Sequence, residues 1–414
     1  MINSFIVSLV LMFFWGGLYI VLNRKLYTSK LYFYLLFLMG SAGIVLPLDK
    51  FVHYYTQNYN VGVILLFAFL LVFSLIPWFY FDSKLKRWGR ICIKGKYVNV
   101  LKYIFIVNII LGLYSILYAL PYAKLALEMG GDEVRHFIQD ETLYPQNIFT
   151  TICVGIGFLT PIQILLFYLS LLDKKLWKFS LLLFLSSLSY IITSLPYMAR
   201  DGFIFIPLTY FFLYKVFSKS LDEKIKHKIK RYATIIGSLV LSMFLLITVQ
   251  RFFDNAKYGL SQTDSLIFGT WGYFFQQPYV FEQTIEYSTD FEGFSRRFEL
   301  IENILGLPKN EFEITTLNTA FGTMYTDFYK AFGWNSLICF SLFYVISFRG
   351  LLAFLTKFQN HFSILLVFTI YIYYTISGLF YYKMFLISVT KLYLFVLCAS
   401  LFMVNMLYLE RKNV

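Results

Sequence analysis

Two arginines lie at the ends of long apolar runs of the chain, and the chemistry they suggest is phosphate binding. Arg200 and Asp201 lie between two apolar runs, and Arg251 directly follows a third. A guanidinium presents a planar fork of N–H donors that matches phosphate oxygens. The two arginines could therefore hold a diphosphate, with Asp201 orienting Arg200. The alternatives are a charged pair that caps a helical hairpin and an arginine that snorkels to lipid phosphate.

Two further side chains could take a proton during a reaction. Asp327 lies among aromatic residues just before an apolar run, where a carboxylate could act as a general base; a helix start or an ion pair with Lys330 is the alternative. His136 lies in an acidic segment and titrates near neutral pH, although most loop histidines are simply solvated. The sequence contains no Walker A motif, dinucleotide fingerprint or metal-ligand spacing, so we expect no cofactor and no metal.

The elements that must position these side chains are transmembrane helices. The 414 residues are 59% apolar and 14% charged, with a mean hydropathy of +0.66, whereas soluble domains are about 25% charged. This composition excludes a soluble enzyme, a disordered chain and a disulfide-rich secreted module. Because a crossing takes about 20 residues, we predict an all-α polytopic integral membrane protein with about eleven transmembrane helices. The apolar runs lie at 2–22, 31–48, 61–81, 103–123, 148–172, 179–198, 202–218, 232–249, 333–348, 363–382 and 384–408.

The distribution of charge predicts the orientation of these helices. Connections on one side carry 24 of the 36 Lys and Arg residues but only 5 of the 23 Asp and Glu residues. Cationic connections stay in the cytoplasm, which places the N-terminus outside and the C-terminus inside. The net charge of +13 therefore reflects topology and attraction to anionic lipid, and does not indicate nucleic acid.

One long extracytoplasmic loop, residues 250–332, interrupts a single transmembrane domain that comprises residues 1–414. Within the loop, apolar residues at helical spacing predict an amphipathic helix over 292–305. This helix lies at the membrane surface or belongs to a small packed subdomain. Arg296 and Arg297 are adjacent on it, where they either support the substrate site or face solvent and lipid.

Three segments of the chain resemble the oligosaccharide repeat-unit polymerases of O-antigen and capsule synthesis, the Wzy-type family. In the first segment the family often has Ser-Arg-Gly at the arginine. In the third it often has Tyr-x-Asp-Phe-Gly; Tyr325, Asp327 and Phe328 match this pattern, and Tyr329 replaces the glycine. The multi-span plan with a late outside loop is also similar. The segments are SLPYMARDGFIFIPLTYFFLY (194–214), GTWGYFFQQPYVFEQTIEY (269–287) and TAFGTMYTDFYKAFGWNSL (319–337).

The resemblance implies a glycosyltransferase that needs neither metal nor cofactor and works at the outer face of the bacterial cytoplasmic (inner) membrane. It would move a growing glycan from undecaprenyl diphosphate to a sugar hydroxyl of a second lipid-linked repeat unit. Arg200 and Arg251 would then bind the diphosphate, and Asp327 or His136 would take the proton. Membrane lipid, chain-length regulator proteins and flippase proteins are the implied partners. A polysaccharide flippase or other transporter, an O-antigen ligase, and a structural or receptor protein are the alternatives.

Overall fold

The computed structural model describes residues 4–23, 26–45, 59–86, 90–91, 93, 98–129, 143–145, 147–197, 199–252, 262–267, 269–270, 276–287, 291, 323–357 and 361–380. Almost all of these residues are helical, as expected for a backbone that must satisfy its own N–H and C=O groups in lipid. The described helices are α1 (Ser4–Leu22), α2 (Lys30–Val45), α3 (Val61–Ser74), α4 (Ile76–Leu85), α5 (Val98–Met129), α6 (Ile148–Gly157), α7 (Thr160–Ser170), α8 (Ser180–Ser186), α9 (Ser189–Ser194), α10 (Gly202–Phe217), α11 (Glu223–Phe252), α12 (Gln262–Ile267), α13 (Gln277–Tyr287), α14 (Met324–Phe332), α15 (Trp334–Lys357) and α16 (His361–Phe380), with 3₁₀ turns at Lys174–Phe179 and Leu195–Tyr197.

Six described helical segments are long and apolar enough to cross a membrane, and the bent pair α6–α7 would make a seventh. Three shorter apolar helices overlap α2, α10 and α16. This architecture is compatible with a polytopic membrane protein, but the predicted number of eleven crossings is not confirmed. The last predicted run, 384–408, lies outside the described residues. The six segments are Ser4–Leu22, Val61–Leu85, Val98–Met129, Lys174–Tyr197, Glu223–Val249 and Trp334–Lys357.

Prolines mark the breaks between α6 and α7 and between α3 and α4, each of which lies within one predicted run. The run 148–172 is bent by 50° between α6 and α7, where Gly157 ends one helix and Pro161 lies in the first turn of the next. Pro77 occupies the same place in α4, just after α3 ends. A proline lacks the N–H that the preceding turn would require, so the backbone bends there.

The first compact unit comprises residues 1–86, 252–354 and 374–391. Its helices α1 and α2 pack side by side along their length. They approach closely because Gly40 has no side chain: a Cβ there would lie 3.0 Å from the backbone nitrogen of Met12. In the same unit, α13 packs against α3 and α14.

The second compact unit comprises residues 87–251, 355–373 and 392–414. Its long helix α5 contacts α6, α8, α9 and the turn Leu195–Tyr197, and α7 packs against α8 and α10. A Cβ at Gly112 of α5 would lie 2.5 Å from Cβ of Ser186. This glycine therefore permits a close contact between the two helices. In lipid such van der Waals packing stabilises helix pairs, because burial of apolar side chains from lipid gives no hydrophobic gain.

Part of the predicted extracytoplasmic loop, 250–332, is helical. Helices α12, α13 and α14 fall within it, and α13 and α14 are packed elements of the first unit. The predicted amphipathic helix 292–305 lies outside the described residues. The grouping of residues 1–414 into one transmembrane domain stays a prediction.

Candidate functional site

Arg200 lies between the 3₁₀ turn Leu195–Tyr197 and the start of α10, and only 2% of it is exposed. Its Nη1 donates a hydrogen bond to the hydroxyl of Thr248 on α11, at 3.0 Å. The guanidinium also lies over the ring of Phe244, with Cζ 5.6 Å from the ring centroid. A cation–π contact is strongest away from water. Two side chains of α11 therefore hold the arginine inside the second unit.

The neighbouring carboxylate of Asp201 is also buried, at 2% exposure. Its Oδ2 accepts a hydrogen bond from the hydroxyl of Tyr190 at 2.5 Å. Its Oδ1 has no hydrogen-bond partner among the described residues. Orientation of Arg200 by Asp201 stays a prediction; the hydrogen bond given above joins the guanidinium to Thr248.

Gly202, which follows this charged pair, lies directly against the ring of Tyr190. A Cβ at position 202 would lie 3.0 Å from Cδ1 of Tyr190. The absence of that atom allows α10 to begin directly against the Tyr190 ring. The Tyr190 hydroxyl can then reach the carboxylate of Asp201. The Arg-Asp-Gly sequence thus combines a buried cation, a buried anion and the close approach that places them.

Arg251 belongs to the same helix that holds Arg200. The helical rise of 1.5 Å per residue places its backbone about 4.5 Å beyond Thr248 along α11. The sequence-predicted pair of arginines is therefore brought to one end of α11, in the second unit. In the sequence the two arginines lie in different connections between apolar runs.

Asp327 lies in the first unit, on the short helix α14. A capping box between Thr323 and Thr326 begins this helix, and the hydroxyl of Tyr325 donates to the carbonyl oxygen of Leu70 at 2.7 Å. Asp327 is 8% exposed and Lys330, one turn later, is 2% exposed. A buried carboxylate and a buried ammonium group on one short helix are costly, and they mark α14 as a functional candidate.

Helix α13 carries a buried carboxylate that the sequence analysis did not single out. Glu282 is 2% exposed, and its Oε1 accepts a hydrogen bond from the backbone N–H of Asn60 at 2.8 Å. Burial raises the pKa of the Glu282 carboxyl; the Asn60 hydrogen bond opposes this shift and the nearby charge of Glu286 adds to it. The run of Gln and Glu residues in 276–287 was the available signal, but it fell in a segment interpreted as a loop.

The aromatic residues of this segment belong to the core. Tyr279 and Phe281 are 1% and 0% exposed. Their rings lie 4.7 Å from Tyr59 and 5.3 Å from Phe67, respectively. A cavity of about 30 Å³ beside Tyr279 has room for ordered water but not for a sugar. These two rings are therefore not available to bind a glycan.

The remaining predicted site residues, His136, Arg296 and Arg297, lie outside the described residues. Within the part of the chain that the structure describes, no group of three His, Cys, Asp or Glu side chains could hold a metal ion.

The described fold and site define a helical protein with several membrane-length apolar helices and a buried arginine held between two of its elements. Comparison with known proteins gives no match: no protein-family model matches the chain, and neither a curated protein nor a solved structure matches it. The functional assignment therefore rests on the residues and contacts given above.

Proposed function

We propose that the protein polymerises lipid-linked oligosaccharide repeat units into O-antigen or capsular polysaccharide. It would do so in the bacterial cytoplasmic (inner) membrane, with eleven crossings, the N-terminus outside and the C-terminus in the cytoplasm. The observation that carries the proposal is the buried guanidinium of Arg200, which Thr248 holds one turn before Arg251. This arginine lies in the first of the three segments that resemble the polymerase family.

The proposed reaction is one glycosyl transfer. The bond between the anomeric carbon of the donor glycan and its diphosphate breaks, and the electron pair leaves with the diphosphate. The same carbon forms a bond to a hydroxyl oxygen of the acceptor repeat unit. Since undecaprenyl diphosphate is already a good leaving group, the step needs no nucleotide outside the cell. Arg200 and Arg251 would neutralise the charge that develops on the departing diphosphate.

The proton of the acceptor hydroxyl goes to a general base, for which we propose Asp327 or His136. Asp201 supports the cationic site: it adjoins Arg200, and its Oδ1 is left without a hydrogen-bond partner among the described residues. Arg296 and Arg297 would support the lipid-linked substrate. Membrane lipid, chain-length regulator proteins and flippase proteins are the proposed partners.

The test is the length distribution of the surface glycan after deletion of the gene and its restoration. We expect single-repeat glycans in the deletion strain and in a strain that carries Arg200→Ala. Wild type should restore long chains. Arg231→Ala is the matched control, because Arg231 is an exposed arginine on α11. All variants must be present in the membrane in equal amount, as measured by immunoblot.

Other results would favour the alternative functions. Long lipid-linked chains that accumulate without attachment in the deletion strain indicate a ligase. Loss of all surface glycan, with repeat units trapped inside the cell, indicates a flippase or other transporter. Chains of wild-type length in the Arg200→Ala strain would show that Arg200 is not needed for polymerisation.

A further inference from the structure

Two cationic side chains of the first unit share one tyrosine ring. Arg349 of α15 lies over the ring of Tyr80 on α4, with Cζ 3.5 Å from the ring centroid. Lys84, one turn after Tyr80 on α4, lies over the same ring, with Nζ 5.2 Å from the centroid. All three side chains are half-buried. We call these three residues the Tyr80 cation site.

No carboxylate among the described residues neutralises these two charges. The described ion pairs lie within α5 and α11, and neither includes Lys84 or Arg349. Helix α15 contains no Asp or Glu, and Asp82 is the one acid of α4. The Asp82 side chain is buried, and its oxygens accept hydrogen bonds from Thr28 and Ser29. The two cations therefore have no counter-ion of their own in the described part of the chain.

The polar groups of the Tyr80 cation site are hydrogen-bond donors. At 3.5 Å from the centroid, the guanidinium of Arg349 has room only to lie along the ring, because a tilt would press a nitrogen into it. Its N–H groups then point past the ring edge. The phenolic hydroxyl of Tyr80 has no hydrogen-bond partner among the described residues. A ligand with negative charge and several acceptor oxygens fits this set of donors, and a phosphate group has both properties.

The place of the site along the chain favours a lipid phosphate over a dissolved one. Tyr80 lies at the end of the predicted run 61–81, and Arg349 directly follows the run 333–348. The charge distribution predicts that both runs end at the cytoplasmic face. The contact between Tyr80 and Arg349 brings these two ends together. Phospholipid headgroups lie at this level of a membrane, and anionic lipids give the cytoplasmic leaflet its negative surface potential.

The shared ring distinguishes this site from cations that reach headgroups one at a time. A lone lysine or arginine near a helix end extends to the nearest lipid phosphate and loses its side-chain freedom when it binds. Here α4 supplies the ring and α15 supplies the guanidinium, so the packing of two helices already holds Arg349 in place. The flexible stem of Lys84 can bring the second charge to the same phosphate.

We propose that the Tyr80 cation site binds the headgroup of an anionic phospholipid in the cytoplasmic leaflet. The guanidinium of Arg349 donates to the phosphate oxygens, and the ammonium group of Lys84 and the hydroxyl of Tyr80 donate to the same phosphate. The bound lipid offsets the repulsion between the two cations and so holds the ends of α4 and α15 together. This inference goes beyond the proposed function, because the site belongs to the first unit whereas Arg200 belongs to the second.

Lipid binding by the purified full chain tests this inference. Protein freed of lipid in detergent is titrated with palmitoyl-oleoyl phosphatidylglycerol, and native mass spectrometry measures the fraction that carries one lipid. Phosphatidylcholine with the same acyl chains is the matched probe, because it has the phosphate but no net charge. We expect wild type to prefer phosphatidylglycerol by about fivefold or more, and Lys84→Ala and Arg349→Ala each to lower that affinity about fivefold.

Tyr80→Leu separates a built site from simple attraction between charges. This substitution leaves the net charge unchanged but removes the ring that holds the guanidinium, so we expect phosphatidylglycerol to bind about two- to fivefold more weakly. Tyr80→Phe keeps the ring and should retain more of the affinity. Lys228→Ala and Arg231→Ala are the matched controls, because each removes an exposed cation of α11. Both should bind phosphatidylglycerol as wild type does.

Several outcomes would overturn the inference. These are unchanged affinity in Lys84→Ala or in Tyr80→Leu, equal weakening by the two α11 controls, equal affinity of wild type for phosphatidylcholine, and displacement of the lipid by inorganic phosphate. If Arg349→Ala lowers the amount of folded protein, Lys84→Ala decides the question, since its ammonium group lies farther from the ring.

Discussion

The hydroxyl of Thr248 accepts a hydrogen bond from Nη1 of Arg200 at 3.0 Å and donates one to the carbonyl oxygen of Phe244 at 2.7 Å. The second bond fixes the direction of the hydroxyl hydrogen, so that a lone pair of the hydroxyl oxygen faces the guanidinium. The ring of Phe244 lies against the same guanidinium. One turn of α11 thus supplies the ring, the carbonyl oxygen and the hydroxyl that together position the arginine.

Thr248→Val should slow glycan elongation about tenfold or more per folded molecule, and it should also lower the thermal stability, because a buried N–H of Arg200 loses its acceptor. Valine keeps the shape of threonine but removes the acceptor, and a hydrogen bond to a charged group contributes about 1.5–3 kcal/mol. The measurement is the rate of repeat-unit incorporation in isolated membranes.

Thr248→Ser and Ser242→Ala are the controls for this positioning role. The serine variant keeps the hydroxyl and should recover most of the rate. Ser242 lies on the exposed face of α11, so loss of its hydroxyl should change nothing. Equal rates for the valine variant and wild type would show that Thr248 does not position Arg200 during turnover.

Asp82→Ala should destabilise the protein by about 3 kcal/mol or more. The buried carboxylate accepts hydrogen bonds from the backbone N–H groups of Tyr27, Thr28 and Ser29, and from the hydroxyls of the last two at 2.5 Å. Its removal leaves several buried donors unsatisfied, at about 1–3 kcal/mol each. Thermal unfolding in detergent measures the loss. Ser83→Ala, the neighbouring exposed position, should retain the wild-type Tm.

Gly333→Ala should destabilise the turn between α14 and α15 by about 1–3 kcal/mol. Its φ of +71° favours glycine, and a Cβ there would lie 2.8 Å from the ring of Phe291. Gly350→Ala is the control, because its Cβ would meet nothing within 4 Å and it lies within α15. That variant should match or exceed wild type in Tm. Equal Tm values for the two variants would contradict this account.

Glu282→Gln should remove part of the pH dependence of stability. Burial raises the pKa of Glu282 in the folded state, so the folded state binds more protons than the unfolded state above the unfolded pKa of about 4.3. Stability is therefore greatest below that value and is lost as the pH rises through the folded pKa. The glutamine variant retains an acceptor for the N–H of Asn60 without the buried charge.

The measurement is Tm from about pH 4 to about pH 8. Wild type should lose Tm as the pH rises, and Glu282→Gln should lose less and have the higher Tm at the alkaline end. Glu128→Gln is the control, because the Glu128 side chain is 61% exposed. If the glutamine variant at position 282 follows the wild-type curve throughout, the buried carboxylate is not the source of the dependence.

The positions of most helices follow from the sequence alone. Ten of the eleven apolar runs overlap described helices, and the place of Arg200 and Asp201 between two runs is enough to mark them as site candidates. Hydropathy is a local property, so a window of the sequence is sufficient to detect it. Gly157 and Pro161 also mark the bend between α6 and α7 locally, within a run that hydropathy predicts as one helix.

Only the tertiary structure identifies the partners of those residues. Thr248 and Arg200 are distant in the sequence, as are Asp82 and Ser29, and no motif joins either pair. A helix in lipid is apolar on its packed face and on its lipid face alike, so periodicity does not show which face meets a neighbour. The rotation and packing of the helices therefore decided which buried groups meet. The composition and order of the residues determined that there would be helices to pack.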